Sequence, residues 1–161
     1  MIINLSNWIY RAEKIIAMIL CFIILISLTL GVVFRYVLSS PLTWSDEAAM
    51  FSLAWMTFIG GSMTIKAKST PTIDIVTNIV KGTLRKIIII IGYLLSFIFV
   101  TYILYVSIVW LSSPNILIQR SSSMAMPMIF AYLCIPVSFL FMSIHLFEML
   151  LQSLFTAREA D

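Results

Sequence analysis

Four long runs of this chain contain no charged side chain: residues 15–34, 48–65, 87–111 and 128–147, the last broken only by His145. A helix rises about 1.5 Å per residue, so about 20 residues cross a hydrocarbon core of about 30 Å. Helices of a soluble bundle keep a polar stripe at a period of 3.6 residues. These runs are apolar all round, and they predict four transmembrane helices. The rest of the chain agrees, with 61% of its 161 residues hydrophobic and 11% charged. A soluble domain carries about 25% charged residues. An ordinary soluble enzyme and a disordered chain are therefore excluded, and a net charge of +3 is too small a bias to indicate nucleic acid. The first run is too long for a removable signal peptide. It leads into Phe34-Arg35-Tyr36 without a small-residue cleavage site, so it is expected to be retained.

Lysine and arginine give the direction. With the N-terminus inside, Arg11, Lys14, Lys66, Lys68, Lys81, Arg85, Lys86 and Arg158 fall on the cytoplasmic side, against Arg35 and Arg120 outside. The positive-inside rule then places both termini in the cytoplasm. Two segments read as amphipathic helices lying on the inner surface, 2–14 and 71–86. In the first, Ile2, Leu5, Trp8, Ile9 and Ala12 share one face, and Asn4, Asn7, Arg11 and Lys14 the other. In the second, Ile73, Val76, Val80 and Leu84 oppose Asp74, Thr77, Lys81 and Arg85. A basic face opposite an apolar one suits contact with anionic membrane phospholipid. The expected fold is an all-α integral membrane protein, one membrane domain over residues 1–161.

The catalytic inventory is thin. One histidine cannot make a bis-histidine haem site. Cys21 and Cys134 both lie inside spans, without the spacing of a redox pair. No zinc cluster or phosphate loop appears. The span centres carry no charge, whereas an ion path usually shows an ionisable residue deep in a span. His145 and Glu148, one turn apart at the inner end of the fourth run, read as an interfacial polar cap, paired with each other or with Lys14. No cofactor and no enzymatic activity are expected.

The most patterned stretch is the first outer loop, from Arg35 to Glu47. Thr43 and Asp46 have capping-box spacing for the second helix, and Asp46 and Glu47 suit its first turn. Arg35 is near enough to pair with one of these acids. Trp44 and Trp110 suit the outer aromatic belt. Ala49, Ser52 and Gly60 make a small-residue stripe on the second helix, with Gly61 and Ser62 adjoining. Pro136 is expected to kink the fourth helix and free the carbonyl of Tyr132.

Taken in order, several of these pieces resemble the small membrane subunit of tripartite ATP-independent periplasmic (TRAP) transporters, the DctQ-like family. They are R-Y-V at 35–37, P-L-T-W-S-D-E at 41–47, A-W-M-T-F-I-G-G at 54–61, I-D at 73–74 and M-P-M-I-F-A-Y-L-C-I-P-V-S-F at 126–139. Where the family often has a histidine before the I-D pair, this chain has Lys68-Ser69-Thr70-Pro71. The resemblance implies sodium-driven uptake of organic acids, including C4-dicarboxylates and sialic acids, across the bacterial inner membrane. It implies two partners: a periplasmic substrate-binding protein, and a large membrane subunit that holds the substrate and sodium sites and moves as an elevator. This chain would be the non-catalytic scaffold. Its partner-facing residues would then be Arg35, Trp44, Asp46, Glu47, Trp55, Phe58, Gly60, Pro127, Tyr132 and Pro136. Two other readings remain at this stage: a stand-alone four-helix exporter, and a membrane anchor of a redox complex whose partner supplies the ligands.

Overall fold

The computed structural model describes residues 2–67 and 83–158. They form α1 (Ile2–Tyr36), α2 (Thr43–Lys66), α3 (Thr83–Leu111), the short α4 (Pro114–Ile118), a single turn α5 (Ile129–Tyr132) and α6 (Cys134–Arg158). Four helices are long and apolar enough to cross a membrane: Ile2–Tyr36, Thr43–Lys66, Leu84–Leu111 and Ile129–Leu154. All four expected spans are present, each extended at one or both ends. Most of the second expected surface helix, 71–86, lies outside the described residues. Its last residues, 83–86, open α3.

The first expected surface helix is not separate. Residues 2–14 continue into the span as one helix of 35 residues, about 52 Å long. Its buried positions are Ser6, Ile9, Glu13, Ser27 and Gly31. Steps of three, four and fourteen residues keep these positions on one stripe facing the bundle. Leu5 and Trp8, from the apolar face read in the sequence, are exposed.

The helices pack in a row, α1 on α2, α2 on α6, and α6 on α3, with α1 also touching α6. Pairings give the directions. Phe58 lies against Phe139 and Lys66 against Glu148, so α2 and α6 run parallel. Trp110 meets Tyr132 and Phe97 meets Phe147, so α3 is antiparallel to α6. Much of the outward surface of α1 and α3 is large and apolar, including Met18, Phe22, Leu25, Leu95, Phe99 and Val109. That surface suits hydrocarbon, where an all-helical backbone satisfies itself.

Small residues set the approach of α1 to α2. A Cβ on Gly31 would stand 2.9 Å from Ser45 Oγ. The buried stripe of α2 is Ser45, Ala49, Ser52, Ile59 and Ser62. The expected stripe is therefore present, but with Ile59 in place of Gly60. A Cβ on Gly60 would meet nothing within 4 Å, whereas one on Gly61 would stand 3.0 Å from the methyl of Met142. The expected capping box at Thr43 does not form. Thr43 is already helical, Leu42 is the N-cap without a side-chain bond, and Ser45 Oγ donates back to the Leu42 carbonyl at 3.0 Å.

The fourth span is interrupted at Leu133, three residues before the buried Pro136. Proline has no N–H to donate four residues back. Pro136 therefore leaves the Tyr132 carbonyl without its helical donor, and nearby the Phe130 carbonyl accepts from Trp55 Nε1 at 2.9 Å.

Gly31→Leu should push α1 off α2 and destabilise the chain by about 1–3 kcal/mol, whereas Gly60→Ala should be close to neutral. Thermal unfolding of both variants in one detergent checks this, and equal melting temperatures would contradict the packing.

Candidate polar junctions and outer surface

Two polar junctions stand at opposite ends of the bundle. At the end near Lys66, His145 of α6 is wholly buried between two residues of α1. Ser6 Oγ is 2.6 Å from its Nδ1, and Glu13 Oε2 is 3.2 Å from its Nε2. All three side chains are 0% exposed. With the imidazole N–H on Nε2, the ring donates to the Glu13 carboxylate and accepts from the Ser6 hydroxyl. Beside this triad, Lys66 of α2 is paired with Glu148 of α6, and Gln152 Nε2 donates to Glu148 Oε1 at 2.9 Å. The polar cap read at His145 and Glu148 is therefore real but differently connected. Its partners are Glu13, Ser6 and Lys66. Lys14 instead stands 4.4 Å from the centroid of the Tyr10 ring.

At the other end, Glu47, one residue past the first turn of α2, grips the loop between α4 and α5. One carboxylate oxygen accepts from the Ser123 N–H at 2.8 Å, and the other from the Met124 N–H at 2.9 Å. The Ser121 hydroxyl donates to the second oxygen as well. The gripped segment is a tight antiparallel turn. Arg120 bridges Pro127, and Ser121 N–H donates to the Met126 carbonyl at 2.9 Å. Ala125 closes the turn with φ 51°, a left-handed conformation that is uncommon for a residue with a Cβ.

The residues read as partner-facing divide into two groups. Trp55, Phe58, Glu47 and Tyr132 are engaged within the chain: Trp55 with Phe130, Phe58 with Phe139, Glu47 with the turn, and Tyr132 with Trp110 at 5.0 Å between ring centroids. Pro127 is in the turn bridge, and Pro136 is buried in α6. Arg35, Trp44 and Asp46 remain exposed, and Arg35 Nη2 donates to Asp46 Oδ2 at 3.3 Å. Both of those side chains are more than half exposed, so the pair contributes little stability. Gly60 is half-buried and faces open space within the chain.

Sequence reasoning overlooked Glu13, Ser6, Lys66 and Ser121 as structural groups. A signal for the first two was present: they lie on the stripe Ser6, Ile9, Glu13, continued by Ser27 and Gly31. An acid in register with serine and glycine marks an interhelical contact rather than a solvated face. Among the described residues no group of three or more His, Cys, Asp and Glu is placed to hold a metal ion.

Comparison with known proteins adds two findings. A family model described as tripartite ATP-independent periplasmic transporters, DctQ component, matches residues 24–156. The C4-dicarboxylate TRAP transporter small permease protein DctQ of Vibrio cholerae serotype O1 is 32% identical over 57 residues, 35% of this chain. That match spans 25% of the Vibrio protein's own length.

His145→Ala would leave Glu13 buried without its partner and should destabilise the fold by about 3 kcal/mol. Glu13→Gln should cost less, since an amide still hydrogen-bonds the ring. Ranked melting temperatures check the order, and a milder loss in His145→Ala than in Glu13→Gln would contradict the junction. Glu47→Ala should release the outer turn, read as faster amide exchange at Ser123 and Met124, with α3 exchange unchanged.

Proposed function

The chain belongs to the DctQ family, the small membrane component of tripartite ATP-independent periplasmic transporters, and we propose that it serves there as a non-catalytic scaffold. In this reading it pairs with the large membrane subunit, which carries the substrate and sodium sites, and it works with a periplasmic binding protein. Its N-terminus and C-terminus lie in the cytoplasm. The cargo is an organic acid of the C4-dicarboxylate or sialic acid type.

The observation that supports a scaffold is how the polar groups are used. Glu47, Lys66, Glu148, Glu13, Ser6 and His145 all form ties between separate parts of the chain. α2 is joined to α6 at one end through Lys66 and Glu148, and to the α5 turn further along through Trp55 and the Phe130 carbonyl. α1 is joined to α6 through the buried triad. A transporter whose domain crosses the bilayer needs a part that does not move with it. A bundle of packed helices cross-linked in this way resists tilt and shear better than one helix pair. Arg35, Trp44, Asp46 and Gly60 are the residues of the proposed interface that are not taken up by packing within the chain, and in this reading the first three meet a partner outside the membrane.

The test is co-purification of the tagged chain with the products of neighbouring genes. The expected result is a large polytopic membrane protein in about equal amount, and sodium-driven uptake by that pair with its binding protein. Recovery of the chain alone, or only with copies of itself, would contradict the scaffold reading. Asp46→Ala combined with Glu47→Ala should lower uptake or complex yield without changing sodium affinity. A selective change in sodium affinity would count against it.

A further inference from the structure

Charge is sorted by burial at the end of the bundle that holds the Glu13 junction. Glu13 and Glu148 are 0% and 2% exposed, and both face inward. Glu13 is held by His145, and Glu148 by Lys66. Arg11 and Lys14, on the same helix as Glu13, are exposed. Among the described residues neither has a carboxylate partner. Lys14 lies over the Tyr10 ring, which keeps its ammonium close to the helix. Trp8 is 69% exposed. Trp8, Arg11 and Lys14 follow one another at three-residue steps, so they wind along one exposed side of α1 over about 9 Å of its length.

We infer that Trp8, Arg11 and Lys14 form a binding site for the headgroup of an anionic phospholipid, with the burial of Glu13 keeping the segment's one carboxylate away from it. Charge complementarity names the occupant's sign: two cations and, among the described residues at this end, no exposed acid. What lies beside the cations names its class. Ile15, Met18, Ile19 and Phe22 follow on α1, all exposed and all apolar. They offer the acyl chains a continuous surface below the headgroup. A free phosphate would use the cations alone. An exposed tryptophan beside cations at the end of an apolar span is the arrangement found at the headgroup level of membranes.

The test uses the full chain purified in neutral detergent, with binding of fluorescent phosphatidylglycerol compared with phosphatidylcholine carrying the same label. The wild-type chain should prefer phosphatidylglycerol. Arg11→Gln combined with Lys14→Gln should weaken that binding by about tenfold while leaving phosphatidylcholine binding and the melting temperature unchanged. His145→Ala, which removes the ring that holds Glu13 inward and leaves its negative charge unsatisfied beside the cations on α1, should also weaken it. Adding Glu13→Gln to His145→Ala should restore it, a recovery that a purely structural role for the junction would not produce. If His145→Ala does not fold, the Arg11 and Lys14 variant decides the question alone. The inference is overturned if that variant binds phosphatidylglycerol as the wild type does, or if both lipids bind equally. It is also overturned if millimolar inorganic phosphate displaces the labelled lipid, which would mark a site for the ion alone.

Discussion

A carboxylate taken out of water inside an apolar bundle has to find hydrogen-bond donors, and Glu13 is the group that imposes this most strongly here. It is fully buried, with one oxygen toward His145 and the other, Oε1, without a hydrogen-bond partner among the described residues. Apolar faces do little to fix how helices sit on one another in a membrane, because lipid tails solvate leucine as well as a neighbouring leucine does. Sliding α1 along α6 by one turn would cost little in apolar contact. It would, however, separate Glu13 and Ser6 from His145 and leave a carboxylate unpaired in a medium of low dielectric. The same logic holds for α2 against α6, where Lys66 and Glu148 fix the pairing. The polar ties set the register, and the apolar surface follows.

Between these ties, geometry is set by what is missing from side chains. Gly31 has no Cβ, so Ser45 of α2 can come against the α1 backbone, and the first turn of α2 lies beside the last turns of α1. That places Asp46 within reach of Arg35. Pro136 has no N–H, so the start of the fourth span loosens around Leu133. The indole of Trp55 then satisfies the Phe130 carbonyl. In hydrocarbon an exposed carbonyl would cost several kcal/mol. Trp55 is therefore first a backbone partner, and any role toward another subunit would be additional.

The four spans were legible because hydrophobicity needs no partner to be read. A charge-free run of about 20 residues means the same thing wherever its neighbours lie. Connections were less legible. Residues 2–14 show an amphipathic pattern that fits a surface helix, but nothing between Lys14 and Ile15 breaks the backbone, and the helix continues. Whether Glu13 faces water or His145 depends on a contact across 132 positions. Local spacing cannot reveal such a contact. Glu47 is similar: its place near the start of a helix is visible in the sequence, whereas its grip on Ser121, Ser123 and Met124 needs the far loop to fold back. Gly60 and Ile59 show how fine the limit is. One residue's rotation, about 100°, exchanges a buried position for an open one.

Internal satisfaction of polar groups also bears on how such a chain meets a partner. Glu13, His145, Glu148 and Lys66 are all engaged inside the bundle. The membrane-facing surface of α1 and α3 therefore presents mainly apolar side chains. Lys66 and Glu148 compensate each other inside the bundle, so this pair needs no counter-charge from another chain. Specificity in association must then come from the shape of the apolar surface and from the polar groups at its two rims. At one rim these are Arg35, Asp46 and Trp44, carried on a connection fixed by the close approach at Gly31. At the other they are Arg11 and Lys14, left uncompensated because Glu13 is turned inward. Both rims are thus consequences of the internal ties. A substitution that loosens His145 would disturb not only the fold but also the charge that the bundle shows to its surroundings.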